Sequence, residues 1–433
     1  VPVSTIENTA APTAAPTEPE SRTIPASAFW VISILGTVAG VYYIHQVRET
    51  MQVMMHLMDL GVYQIAGHRV VDGASIYDTP LLGHTRGVWE FVYTPFAALL
   101  FVPLVNLHGE VFTYVGAFGN FAMLTTSVWA ALSMLGYRRD LRLVLIGVPI
   151  AGLLMWCEPV RETMAFGQIN ILLLLLVLAD MALPDTSRWK GVLTGIAAGI
   201  KLTPAFFVVY LLVTRKYRAA VTAIAAFAAT VLVGLAAMPK DSLTFWSGAF
   251  ADPKRVGVPD NPRNESLRGL LARTVGVEGV HQLFWLAGAS AIAVACLYLA
   301  RRLSLTGCEL PAVVLVGLTT TAVSPYSWVH HWVWLAPLLV YLADLALRRR
   351  GAVASIGLLI AVMVASGGVI AFFDPTMSSI YDYPAGSHLA TFVHNGYIWL
   401  TLALFGAAAV ALRHSARDPL RHSARDALPA AAR

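Results

Sequence analysis

The stretch "GIAAGIKLTPAFFVVYLL", Gly195–Leu212, carries one charge, Lys201, near the middle of an apolar run covering 190–213. A helix of that length spans the roughly 30 Å of a bilayer's hydrocarbon core. A lysine at its centre is costly, and neither edge is near enough for its side chain to snorkel out easily. Two consequences follow. The chain is a membrane protein, and Lys201 faces a cavity or an anionic ligand. The same residue marks a point where the run could divide into two short helices meeting at "KLTP". A lysine with only a structural role is the weaker reading.

Composition agrees. Of the 433 residues, 57% are hydrophobic and 13% charged, with a mean hydropathy of +0.66. Soluble domains carry about 25% charged residues. Twelve apolar runs fall at 26–44, 91–107, 111–135, 142–157, 168–183, 190–213, 217–238, 281–300, 311–324, 331–347, 353–372 and 391–412. Spanning segments without partners must be helical, so the expectation is an all-α polytopic integral membrane protein of about twelve transmembrane helices, with loop helices outside. Three units are expected: a disordered Ala/Pro/Thr-rich tail (1–25), a membrane domain (26–412) and a basic cytoplasmic tail (413–433) in which "RHSARD" occurs twice. The first run is read as a retained helix, not a signal peptide. The net charge of +5 sits mostly in short loops and reports orientation, so no nucleic-acid partner is implied.

The basic clusters Arg215/Lys216/Arg218, Arg301/Arg302, Arg348–Arg350 and the C-terminal tail should be cytoplasmic. Twelve crossings then place 45–90, 239–280, 324–331 and 373–390 outside. Arg138/Arg139/Arg142 and Arg188/Lys190 also land outside in this count, against the rule, so the middle of the topology stays open.

The outer loops collect the chemistry. The first, "MMHLMDLGVYQIAGHRVVDGASIYD" (Met54–Asp78), sets Asp59 in an apolar stripe with Val62 and Tyr63, followed by His68, Asp72, Tyr77 and Asp78. An acid there is costly unless paired or used, although a cap or a solvated position is the plain alternative. "SPYSWVHHWVW" (Ser324–Trp334) reads as an interfacial aromatic belt, which accounts for Trp328, Trp332 and Trp334 but not for His330 and His331. "GQIN" (Gly167–Asn170) opens a helix with two amides, of which capping explains at most one. "NES" at 264–266 fits a glycosylation pattern that is common by chance. Cys157, Cys296 and Cys308 show no paired spacing, and Cys157 and Cys296, in or near apolar segments, read as core residues rather than a disulfide. No acidic cluster, zinc pattern or phosphate loop occurs, so neither a metal nor another cofactor is implied.

Taken in order, the first-loop acid Asp59 with Tyr63 nearby, "YTP" (Tyr93–Pro95), "GQIN", "KLTP" (Lys201–Pro204) and "SPYSWVHH" (Ser324–His331) make the chain resemble glycosyltransferase family 87, of the GT-C superfamily. The resemblance covers most of 26–412. Within the family, it points to members adding α-1,2-linked mannose to phosphatidylinositol mannosides. It implies a polyprenol-phosphate-mannose donor, a phosphatidylinositol mannoside acceptor, a bilayer setting in the plasma membrane and an active site facing outward. It also implies Asp59 as the base, His331, His330 and Lys201 at the donor phosphate from opposite sides of a cavity, and Tyr63, Gln168, Asn170 and Trp328 as substrate contacts.

The chemistry is consistent with that set. Displacement of a β-mannosyl phosphate from the opposite face gives an α-mannoside in one step and needs one base, not a carboxylate pair. The departing phosphate needs cationic or hydrogen-bonding partners rather than a general acid. Two alternatives stand beside it. One is a related enzyme using another lipid-linked sugar, such as decaprenyl-phospho-arabinose, or a lipomannan mannosyltransferase. The other is a lipid or solute transporter, which should show a second broken helix matching "KLTP"; the sequence shows no counterpart.

Overall fold

The computed structural model describes residues 22–50, 57–83, 89–252, 255–278, 282–367 and 392–417. Residues 1–21, the 373–390 loop and the repeated tail motif beyond residue 417 lie outside them. Among the described residues every regular element is a helix, and the only β pairings are isolated bridges. Each of the twelve apolar runs contains helix among its described residues.

In chain order, α1 (Ala26–Thr50) leads to the first-loop helix α2 (Met58–Val71). Next come α3 (Pro95–Phe101), with a 3-10 turn over Val102–Asn106, and α4 (Gly109–Met134). The pair α5 (Leu141–Leu154) and α6 (Glu158–Phe166) is bent by 91°. Next are α7 (Asn170–Met181), α8 (Val192–Ile200), α9 (Phe206–Val213) and α10 (Tyr217–Ala237). The second long loop holds α11 (Pro239–Ser247) and α12 (Leu267–Val275). The chain ends in α13 (Gln282–Leu305), α14 (Glu309–Val323), α15 (Leu335–Arg349), α16 (Ala352–Ala365) and α17 (Gly396–Arg417). Among the described residues six helical stretches are long and apolar enough to cross a membrane, or seven with the bent pair as one span. Helices α7, α8 and α14 are largely buried, while Val221, Leu232, Leu283, Phe284, Val294, Val353 and Leu359 present bare apolar surface. In water such a surface would aggregate; in a bilayer it is the lipid face.

Contacts at the two ends settle the middle of the chain. Lys190 and Lys216 both bind Asp185, at 2.9 and 3.4 Å, so the 190–213 run leaves one end of the molecule and returns to it. It climbs as α8, breaks at Lys201 and descends as α9. Pro204 enforces the break, because it lacks the N–H that would continue the helix. The 91–107 run begins and ends against one turn of α2: Tyr93 touches Tyr63, and Gln64 donates to the Leu104 and Leu107 carbonyls. It lies along the first-loop helix instead of traversing.

Those two departures remove the sequence conflict. Lys216 also binds Glu309 at 2.7 Å, Arg139 reaches the Ala182 carbonyl, and Tyr137 donates to Asp344, which pairs with Arg348. The loops carrying Arg138, Arg139, Arg188 and Lys190 therefore share one end with Lys216 and Arg348. The placement of these loops on the opposite face is corrected, and every basic cluster described falls at the same end.

Candidate active site

At the other end, the loops expected outside meet around a cavity of about 720 Å³. Its walls come from α2, the 89–94 segment, α6, the "KLTP" break, the 245–263 segment and "SPYSWVHH". Asn264 pins the last two together. Its side chain is buried, donates to the Pro259 carbonyl and accepts from Ser327 N–H at 3.0 Å, while Glu265 N–H donates to the Ser327 carbonyl at 2.7 Å. The glycosylation pattern at this position is thus a structural staple.

Asp59 sits in the first turn of α2, with Val62 and Tyr63 on the same buried face. Burial pushes its carboxyl from an ordinary 3.8 up to about 6, against the opposing effects of a Gln168 hydrogen bond and the Lys201 charge. Gln168 is the hub beside it. Its Oε1 accepts from Tyr63 Oη (2.8 Å), Tyr93 Oη (3.1 Å) and Asn170 Nδ2 (3.2 Å), which leaves its NH2 to donate to Asp59. The turn that aims Gln168 inward depends on Gly167, at φ 66°, where a Cβ would come within 2.7 Å of Leu60. Neither amide of "GQIN" caps a helix; both point at the cavity residues.

Lys201 ends α8 in an extended conformation, so its side chain leaves the helical stack and enters the cavity. Its ammonium donates to Asn170 Oδ1 at 3.2 Å, lies 2.9 Å from His331 Nε2 and stands 5.4 Å above the Tyr93 ring. With the lysine donating, His331 is the Nδ1–H tautomer. The basic groups were expected on opposite walls. They are instead neighbours on one wall, because the "KLTP" break and the 3-10 turn Val329–Trp332 abut. His330 is buried, stacked against Trp328 with an interplanar angle of 15°, and His331 is the one that reaches Lys201.

All eight residues singled out from sequence surround this network: Asp59, Tyr63, Gln168, Lys201, Trp328, His330 and His331 line the cavity, and Asn170 bridges Lys201 to Gln168. His68, Asp72 and Asp78 are exposed and do not line it. Tyr77 is buried but supports the wall from behind, donating to the Tyr93 carbonyl at 2.7 Å. Tyr93, which the sequence marks only as part of "YTP", also lines the cavity, as do Glu162, Arg255 and Arg263, for which the sequence carries no signal. Arg255 pairs with Glu90 at 2.8 Å and Arg263 with Glu162 at 3.6 Å. "YTP" was the one available signal, and it was read as a motif without a role. Among the described residues no cluster of His, Cys, Asp and Glu could hold a metal ion.

The site is thus a buried carboxylate joined through Gln168 and Asn170 to a lysine–histidine pair in one loop-roofed cavity of a helical membrane protein, a proton acceptor and cationic, hydrogen-bonding groups in reach of one another. The profile of glycosyltransferase family 87 matches residues 91–325, and the chain belongs to that family. It is 33% identical over 68% of its length to a polyprenol-phosphate-mannose-dependent alpha-(1-2)-phosphatidylinositol mannoside mannosyltransferase of Mycobacterium tuberculosis (71% of that protein). It is 30% identical over 89% of its length to a polyprenol-phosphate-mannose-dependent alpha-(1-2)-phosphatidylinositol pentamannoside mannosyltransferase of Mycolicibacterium smegmatis (91% of that protein). No solved structure matches the chain.

Proposed function

We propose that this protein transfers mannose from polyprenol-phosphate-mannose to a phosphatidylinositol mannoside, forming an α-1,2 linkage at the outer face of the plasma membrane. The observation that carries the mechanism is the continuous chain from Asp59 through Gln168 and Asn170 to Lys201 and His331. Asp59 is the base. A carboxyl with a pKa near 6 is ionised at neutral pH yet binds a proton more strongly than a solvated one. The acceptor hydroxyl oxygen attacks the mannosyl C1, its proton passes to Asp59, and the C1–O bond to phosphate breaks. The electron pair leaves with the polyprenyl phosphate. Lys201 and His331 receive the charge that grows on that oxygen, and Trp328 offers a flat apolar face to a sugar ring.

The orientation rests on the positive-inside rule applied to the basic end. The substrates follow from the relatives' activities, and an outward cavity suits a donor drawn from lipid rather than from nucleotide pools. Membranes containing the protein should move label from radioactive polyprenol-phosphate-mannose to phosphatidylinositol tetramannoside or pentamannoside. The product is read by thin-layer chromatography and linkage analysis. Label arriving from GDP-mannose with no polyprenyl donor present would overturn the reading.

A further inference from the structure

Among the described residues a second cavity is larger than the one that holds Asp59. A groove of about 1070 Å³ runs between the α1–α5 pair and the α15–α16 pair. Its walls are apolar, including Val31, Ile150, Leu339 and Leu358, and it runs from Trp156 and Ser366 down to the basic end. There it adjoins a second hollow of about 230 Å³, and the two share Arg22, Thr23, Ile24 and Tyr137.

The basic end of the groove is a built structure. Residue 22 forms a short bridge with the α4–α5 loop, Arg22 N–H donating to the Gly136 carbonyl at 2.9 Å and Arg138 N–H to the Arg22 carbonyl at 2.8 Å. Tyr137, between them, is fixed on Asp344 at 2.9 Å. Arg22, Arg138, Arg142, Arg348 and Arg350 line the two hollows, against only Asp140 and Asp344. Both acids are already engaged: Asp140 caps α5 through Leu143 N–H, and Asp344 is paired with Arg348 at 2.6 Å. Among the described residues Arg22, Arg138, Arg142 and Arg350 have no ion pair. An apolar slot lined by four helices, ending in a hollow where four guanidinium groups have no ion pair among the described residues, matches the acyl chains and the phosphate of an anionic phospholipid.

We propose that this groove binds one anionic diacyl phospholipid of the leaflet at the basic end. Its phosphate lies among Arg22, Arg138 and Arg142, and its acyl chains fill the slot between the two helix pairs. The phosphate end of the groove lies opposite the cavity around Asp59, shares no lining residue with it and does not depend on the reaction assigned there.

The test uses the full-length protein reconstituted in phosphatidylcholine nanodiscs with one-fifth phosphatidylglycerol as probe, extracted into detergent and examined by native mass spectrometry. The wild type should retain phosphatidylglycerol far beyond its share of the disc. The triple variant Arg22→Gln, Arg138→Gln, Arg142→Gln should retain about a hundredfold less, since each basic group near a lipid phosphate contributes close to a factor of five. Because α1 docking could suffer in that variant, Ala343→Phe, which fills the slot and keeps every charge, supplies an independent loss. Phosphatidylglycerol should raise the thermal midpoint of the wild type and not of either variant. Equal retention of phosphatidylcholine by the wild type, or unchanged phosphatidylglycerol retention in both variants, refutes the proposal. So does finding that the groove binds polyprenyl phosphate in preference, or that deleting residues 1–21 is needed before any lipid is retained.

Discussion

Asp59 and Asp180 are both buried carboxylates, and the number of donors each already has separates their roles. Asp180 ends α7 near the basic face and is saturated: Gly191 N–H donates to both oxygens at 2.9 Å, Thr194 Oγ1 donates at 2.6 Å, and Leu193 N–H donates as well. Nothing is left over for a ligand. Asp59 receives one amide from Gln168 and otherwise opens onto the cavity. Burial alone therefore does not mark a catalytic acid. What marks it is burial with unused acceptor capacity facing space that a substrate can enter.

The sharpest way to break that contrast is at the base. Asp59→Asn keeps the size and the hydrogen-bonding shape but cannot take a proton. Transfer should fall by on the order of a hundredfold or more, with thermal stability near that of the wild type. Turnover within a few-fold of wild type in purified Asp59→Asn would make the residue a positioning group, and the contrast with Asp180 would lose its chemical meaning.

A smaller effect is expected at Lys201. Lys201→Met keeps the length and apolar stem while removing the charge proposed to meet the polyprenyl phosphate. The donor KM should rise by roughly tenfold to a hundredfold, as befits a charge-assisted contact in a water-poor site. Stability should not fall, because an ammonium is no longer buried. His331 loses its donor in that variant, so a lowered kcat alongside the raised KM is expected as well. Unchanged donor kinetics would remove Lys201 from the phosphate site.

The pH profile sharpens the same point. With its carboxyl held up near 6 by burial, Asp59 is protonated and unable to act as base below that value and ionised above it. Transfer at limiting substrate should drop about tenfold per pH unit below about 6 and level off above. An ordinary exposed carboxylate would hold the plateau down to about pH 4. Rates that stay flat to pH 5 would show that the acid in use is not a buried one.

How much of this was legible beforehand depends on the range of the interactions involved. Each apolar run contains helix among its described residues, because hydrophobicity and local propensity are properties of neighbouring residues. Lys201 was legible as a cavity residue for the same reason: its cost arises from the run around it. The path of 91–107 was not, since an apolar segment lying along α2 has the same composition as one crossing the bilayer. Only the Gln64 bonds to Leu104 and Leu107 tell the two apart. The juxtaposition of Lys201 with His331 joins residues 130 positions apart, which no local pattern encodes. Tyr93, inside the 91–107 run, carries no local sign of its partner, and Glu162, between the runs 142–157 and 168–183, reads as an ordinary loop acid. The hydroxyl of Tyr93 matters only once Gln168 is brought to it.

The smallest functional effect, and the largest structural one, is expected at Asp180. Its two oxygens hold the start of α8, where Gly191 is at φ 104° and Lys190 donates to the Met181 and Leu183 carbonyls. Asp180→Asn turns one acceptor into a donor that must face either the Gly191 N–H or the Thr194 hydroxyl. The oxygen can stay on the Gly191 N–H while Thr194 rotates to accept from the amide, but the Thr194 hydroxyl proton then loses its acceptor, so one buried donor goes short at a cost of about 1–3 kcal/mol. The thermal midpoint should therefore fall by roughly a few degrees. Per folded molecule, kcat and both KM values should match the wild type, because α8 still delivers Lys201 to the cavity once it is formed. The two asparagine variants then give opposite results, Asp59→Asn inactive and stable, Asp180→Asn active and less stable. A stable but slow Asp180→Asn enzyme would mean that the turn at the basic end sets the height of Lys201, linking the two ends of the molecule through α8.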